Sequence, residues 1–331
     1  MSLMRFLIFL IFLFTSIVQP FRAQNGGNTS HIGDTIINEE TIENEPVYRR
    51  FRTSLNYSSA NTLLGKRDSI AIPILTPTFK YTTSKDFFYQ FSMVHSNTTN
   101  KLFDELDLKV GKNFYVGERW NFTLAYARFI YSKYIDRLNT VVNNDFNAYA
   151  GFDWGHDIYT GVSLDYTTGK KTIPYHIVDS VISKKGNKYV LVDNTGYTYI
   201  QAKDFTMTFM NSVTFYFYEL LNNSDKLIFT PEIDVVYGTQ NGVETIASSK
   251  KIANGKTKNT KSTTQTMKTN NPFLSYTFNL DFRYVLKRFT INISPYYTIP
   301  QNINIGAAST PYFVLYGGLV YTLKWQLKKN I

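Results

Sequence analysis

The residues able to do chemistry in this chain are few, and most are spaced in twos. Arg50 and Arg52, then Glu105, Asp107 and Lys109, then Glu232 and Asp234, and finally Asp281 and Arg283 alternate with apolar neighbours such as Phe51, Leu106, Leu108, Ile233 and Phe282. Asp165 stands in a similar alternating run. A period of two keeps side chains on one face of a strand, so these charges can form ion-pair ladders or line a polar path. Nucleophilic catalysis is poorly provided for. Among the four His, His95 lies beside Ser96 in "HSN", but adjacent strand residues point to opposite faces, so the two cannot act together there. His156 and Asp157 follow Gly155, and Gly and Asp favour turns. His31 lies in a polar N-terminal stretch, and His176 is alone in a long connection. There is no Gly-rich phosphate loop, no HExxH and no clustered metal ligand set. The sequence therefore gives no reason to expect an enzyme, a cofactor or a metal.

The elements that position the charges must be strands. Aromatic residues make up 16% of the chain, nearly all from 25 Tyr and 26 Phe, while charged residues make up only 18%. Such side chains suit a pleated surface. Cysteine is absent, which excludes disulfides, thiolate metal sites and a lipid anchor on an N-terminal Cys. The formal charge of +10 would suit a nucleic-acid binder, but the N-terminus argues otherwise. "MSLMRFLIFLIFLFTSIVQPFRAQ" places Arg5 before an apolar run of about a dozen residues and a cut near Ala23, the layout of a secretory signal peptide over residues 1–23. The run is short for a helical span of about 20 residues. Residues 24–47 are acidic and free of Lys and Arg, as in a flexible periplasmic leader.

From Tyr48 onward the chain predicts about twelve strand-like runs, each long enough to cross a bilayer at a tilt, which takes about 9 to 11 residues. They cover roughly 48–59, 70–82, 87–96, 102–116, 120–132, 144–155, 158–168, 203–219, 227–240, 272–286, 289–299 and 311–325. Their connections alternate in length. "SKD" at 84–86, "GER" at 117–119, "HD" at 156–157, "NNSDK" at 222–226 and "KR" at 287–288 are short, and those between them are longer, except for one of borderline length near residue 97. A transmembrane barrel has this rhythm because its periplasmic turns are tight and its extracellular loops extended. The expected fold is thus all-β: an antiparallel up-and-down transmembrane barrel over 48–325, with a short tail over 326–331. The stretch 241–271, with Lys250, Lys251, Lys256, Lys258, Lys261 and Lys268, is expected to be a solvated outer loop where these lysines would meet anionic lipopolysaccharide or anionic ligands. The stretch 169–202 contains "YVLVDNTGYTYIQA", expected as a small hairpin outside the membrane or folded into the barrel mouth.

The last run, "PYFVLYGGLVYTLKW", carries "YGGLVYTL", which resembles the C-terminal assembly signal of bacterial outer-membrane β-barrel proteins. It departs from that pattern by continuing with "QLKKNI" past Trp325. The Tyr/Asn/Lys-rich composition and the signal peptide resemble porin-like barrels of the Bacteroidetes type. The resemblance implies an outer-membrane location in a Gram-negative cell, with outer-membrane lipid, lipopolysaccharide and the barrel-assembly machinery as partners. It also implies a channel for passive diffusion of small solutes, or a non-conducting barrel that serves a surface or secretion complex. No nucleic-acid partner is expected.

In a membrane barrel a charge on the lipid side near the midplane costs roughly 2 to 4 kcal/mol. Arg50, Arg52, Glu105, Asp107, Lys109, Asp165, Glu232, Asp234, Asp281 and Arg283 are therefore expected to face the lumen. Phe278, Leu280, Phe282, Tyr284, Phe289, Ile291, Ile293 and Tyr297 should face lipid, as should Phe205, Met207, Phe209, Val213, Phe215 and Phe217. Arg128 shares parity with Phe122, Leu124 and Tyr126, so either a bulge shifts that strand or Ala125, Ala127 and Phe129 form its outer face. The lumen set holds both signs in similar numbers, which predicts no strong ion selectivity.

Overall fold

Two faces of one hairpin decide the architecture. On Phe273–Leu286 and Phe289–Pro300, Leu280, Ile291 and Ile293 are 41%, 49% and 51% exposed, whereas Asp281 and Arg283 are 1% and 0% exposed. Apolar side chains outside and charges inside invert a soluble core, as expected where lipid replaces water as the solvent of the outer surface.

The computed structural model describes residues 48–60, 62–63, 66–67, 72–96, 103–132, 142–182, 189–239, 242–252, 257–267, 273–301 and 310–326. The expected signal peptide and leader lie outside them. Among the described residues there is no helix. The strands are β1 (Tyr48–Ser58), β2 (Thr62–Leu63), β3 (Lys66–Arg67), β4 (Ile74–Thr82), β5 (Phe87–Ser96), β6 (Glu105–Val116), β7 (Trp120–Tyr131), β8 (Asn144–Gly155), β9 (Ile158–Ile182), β10 (Tyr189–Val213) and β11 (Phe215–Tyr218). There follow β12 (Asp225–Gly238), β13 (Gly242–Ile252), β14 (Thr257–Met267), β15 (Phe273–Leu286), β16 (Phe289–Pro300) and β17 (Tyr312–Gln326).

Each barrel strand pairs antiparallel with its neighbours in sequence, and β1 closes on β17 from Tyr48↔Gln326 to Ser58↔Tyr316. The result is a closed 12-strand up-and-down barrel. Closure removes the free edges that an open sheet would present to lipid, where unpaired backbone groups are costly. Four of the five short connections fall where the sequence places them, whereas the one expected at 222–226 lies at 219–224 because Asp225 and Lys226 open β12; their geometry fits tight turns. Asp86, His156, Asp157 and Lys287 have φ of 60°, 55°, 62° and 54°. Gly117 and Gly155, at 63° and 79°, occupy the same left-handed region without a Cβ penalty.

Two further expectations are corrected. The runs at 158–168 and 203–219 do not end at the membrane: β9 and β10 are paired continuously from Ile158↔Val213 to Ile182↔Tyr189. The segment 169–202 is thus the outer half of one long hairpin rather than a separate one. The 203–219 run is also divided at Thr214, between β10 and β11. The segment 241–271 is not simply a loop, because β13 and β14 pair with each other and β13 pairs with β10 over Val192–Ala202. Outside the membrane a strand is hydrated on both faces, so it needs no apolar stripe. Its polarity therefore conceals it.

The outer wall also settles Arg128. Strand β7 keeps an unbroken register with β6 and β8 through this region, so there is no bulge, and Ala127 is buried while Arg128 and Leu124 are exposed. Neither expected alternative holds. Arg128 faces outward at the extracellular end, where its Nη1 donates to Asn144 Oδ1 at 2.7 Å. Asn144 Nδ2 donates in turn to Thr168 Oγ1 at 3.1 Å, and Tyr126, Phe146 and Tyr166 form an aromatic row just below. At the other end Trp120 packs on Phe152, Phe152 on Trp154, and Trp154 Nε1 donates to Thr160 Oγ1. Residues 120–128 span about 26 Å along the strand at about 3.3 Å per residue. At a tilt of about 40° that sets Arg128 about 20 Å from the Trp120 girdle along the barrel axis, beyond the row of Tyr126, Phe146 and Tyr166. A guanidinium beyond the girdle is at the polar interface, where its cost is small.

Candidate functional site: the barrel lumen

The lumen is built by the alternate residues of twelve strands, and its two sides differ. On one side, β9, β10, β12, β15 and β16 present side chains that are nearly all buried. Asp281 and Arg283 form an ion pair, Nε to Oδ2 2.7 Å, with both side chains essentially inaccessible. Ser294 Oγ donates to the other oxygen of Asp281, and Arg283 Nη2 reaches Thr230 Oγ1 at 3.5 Å. Thr277 and Thr298 share a hydrogen bond at 2.9 Å, as do Thr214 and Thr230 at 3.2 Å. Glu232 and Asp234, two residues apart, are buried on the same face. Asp165 accepts from Asn147 Nδ2 at 2.6 Å and from Ser163 Oγ at 3.0 Å, with Lys109 within electrostatic reach.

Large aromatic side chains fill the space around these groups. Tyr149 and Tyr159 share a hydrogen bond at 2.6 Å beside Met210, and Tyr159 donates to Asn121 at 2.8 Å. Tyr159 lies across Gly151, where an added Cβ would meet its hydroxyl and ring, so glycine is needed for that approach. Tyr296, Tyr312 and Val314 pack with Ala60, with Tyr316 against them. Gly318, the second glycine of "YGG", faces inward between Asn56 and Asn292, whose amide oxygens would be 2.6 Å and 2.5 Å from a Cβ.

The other side, formed by the periplasmic part of β17 with β1, β4 and β6, keeps partial exposure at most inward positions, although Phe88, Ser92 and Ser96 of the intervening β5 are buried. Arg50, Arg52, Lys80 and Lys109 are half-buried and Lys324 is exposed. Cross-strand register places Arg50 opposite Lys324 and Arg52 opposite Lys80. Gln90 bridges the next two positions, pairing with Lys80 on one side and Lys109 on the other. Arg50 Nη2 is 3.9 Å from Asp86 in the β4–β5 turn, and Lys80 Nζ is 4.4 Å from the Phe88 ring. At the extracellular end of β6, Glu105 is buried and Asp107 half-buried, with Tyr131 near Glu105. Asp104 closes that end, accepting from Ser96 N and Oγ at 2.6 Å.

All ten charged residues singled out by period-two spacing thus have inward parity, but they do not form one site. Asp281 and Arg283 are brought together; Arg50 and Arg52 belong to a basic strip; Glu105 and Asp107 sit at the opposite end. The spacing missed Lys80, Lys226 and Lys324, also inward. The signal for Lys80 was present in "TPTFKYT", where it alternates with Phe79 and Tyr81. His95 and Ser96 lie on opposite faces as expected, and no group of His, Asp or Glu among the described residues is arranged to hold a metal ion.

No protein-family model matches the chain, and no curated protein sequence matches it. Solved structures similar to it include the NanC porin, 9% identical with a TM-score of 0.37, covering 82% of this chain and 100% of that one. The toluene transporter TodX of Pseudomonas putida is 10% identical with a TM-score of 0.34, covering 85% and 90%. The outer membrane channel DcaP of Acinetobacter baumannii is 10% identical with a TM-score of 0.23, covering 83% and 96%. The barrel described above rests on its own strand pairing.

Proposed function

We propose that this chain is an outer-membrane channel that passes small solutes by diffusion. One observation carries the reading: most inward side chains of β1, β4 and β6, among them Arg50, Arg52, Asn56, Lys80, Asp107 and Lys109, are polar and keep partial exposure, although they lie inside a closed barrel. A barrel that served only as a structural plug would gain by burying them all, since eight strands already suffice for an interior filled by side chains. The signal peptide delivers the chain across the inner membrane, the barrel-assembly machinery inserts it, and outer-membrane lipid and lipopolysaccharide surround it. Reconstitution of the mature protein into planar bilayers tests this. Discrete, voltage-stable conductance steps are expected, and silence across salts and voltages would reject a pore.

A second reading draws on a different feature. The outer halves of β9 and β10, with β13 and β14, make a four-strand wall beyond the membrane. A wall of that size suits a barrel that binds a partner in a surface or secretion complex, and the complete burial of Arg283 and Val314 fits a closed lumen. Silent bilayers together with a retained partner would favour it.

A further inference from the structure

The ten lumen charges hold both signs, but what a solute meets depends on which of them are accessible. The carboxylates of the dry side are withdrawn: Asp281 and Asp234 are 1% exposed, Glu232 4% and Asp165 5%. Asp281 is further neutralised by Arg283 at 2.7 Å. The accessible side is basic. Lys324 and Arg50 are directly opposed across β17 and β1, and Arg52 and Lys80 across β1 and β4, with Lys109 two strands further on. Like charges directly opposite on a sheet destabilise it, and here two such pairs share one strip. Lys226 adds an inward, half-buried cation near the same end on β12.

Position along the axis sharpens the point. Arg50, Lys80 and Lys324 each lie two residues from the periplasmic end of their strands, and Lys226 lies one residue from the start of β12. The half-exposed inward acids Asp107, Asp145 and Asp204 lie toward the extracellular side, whereas the acids at the periplasmic end are Asp153, the turn residues Asp86, Glu118, Asp157 and Glu219, and Asp225, which is buried in its own turn. Asp86 faces Arg50. The inward wall of β17, β1 and β4 near that end therefore carries four cations, Arg50, Arg52, Lys80 and Lys324, and guanidinium and ammonium groups are the side chains that recognise carboxylate and phosphate.

We infer that the lumen is selective for anions, with Arg50, Arg52, Lys80 and Lys324 forming a periplasmic binding strip for small solutes that carry a carboxylate or phosphate group. This rests on the channel reading. It replaces the expectation of weak selectivity, which counted charges without knowing their burial.

The test is reversal potential in single-channel recordings of the full mature chain under a potassium chloride gradient, followed by addition of inorganic phosphate or succinate to the periplasmic side. Two cationic charges beside a narrow aqueous path bias the local ratio of anions to cations by roughly threefold or more even after salt screening. Chloride is expected to be favoured over potassium by that factor, and phosphate and succinate to reduce chloride current in a saturable way. The Arg52→Gln/Lys80→Gln variant, checked for folding by its heat-dependent electrophoretic mobility, is expected to bring the ratio close to one and weaken the block by either anion. Arg50→Gln/Lys324→Gln provides a second variant in case the first does not fold. Steady conductance with no anion preference, or a preference that both variants retain, would overturn the inference while leaving the channel in place. A silent bilayer would overturn both. Block by only one of the two anions would support the strip and identify which group it recognises.

Discussion

At the scale of single residues, the clearest consequence of the inside-out arrangement is the Asp281–Arg283 pair. The two lie two positions apart on β15, both essentially inaccessible, and are held at 2.7 Å. Removing one partner leaves the other charge buried and uncompensated, which costs about 3 to 5 kcal/mol. Arg283→Leu and Asp281→Asn should each lower the stability of the folded barrel by an amount in that range, measured by urea-induced unfolding in detergent micelles. The double change should cost clearly less than the sum, because residues in contact are not additive. A double change equal to the sum would show that the two side chains act independently, and that Ser294 and Thr230 satisfy them instead.

At the scale of elements, strand existence and facing were legible because parity is local. Phe278, Leu280 and Phe282 declare one face, Asn279, Asp281 and Arg283 the other, and the turns "GER", "HD" and "KR" fix where each strand ends. Two things were not legible. Cross-strand neighbours are set by register over long sequence separations, so Arg52 beside Lys80 and Arg50 beside Lys324 could not be read from either segment alone. Strands beyond the membrane lose the apolar stripe that reveals the rest: β14 reads "TKNTKSTTQTM", and only its Thr content hints at a strand. The barrel closes through Thr206–Ser212 of β10 against Glu232–Gly238 of β12, independently of β13 and β14. Replacing residues 242–267 by a short Gly/Ser link should therefore leave a folded, heat-modifiable barrel with the same urea midpoint. Loss of the folded form would mean that the outer wall takes part in closure.

At the scale of the whole molecule, the alternation of short and long connections fixes an orientation as well as a fold. β1 and β17 pair along their length, so the described chain enters and leaves the barrel on the side of the short turns. In membrane barrels that side is periplasmic. The turn between β11 and β12 lies there, with Leu221 84% exposed. Three backbone amides of that turn, from Leu220, Leu221 and Asn222, donate to Asp225, which also accepts from the Tyr284 hydroxyl. Thr264 on β14 is exposed on the opposite side. Because the chain has no Cys, single substitutions report position without background. A membrane-impermeant maleimide should modify Thr264→Cys on intact cells and Leu221→Cys only after the outer membrane is permeabilised. The reverse pattern would invert the barrel and move the basic strip to the extracellular mouth. Labelling of both sites on intact cells would mean that the exposed apolar band of Leu280, Ile291 and Ile293 is covered by something other than a sealed bilayer.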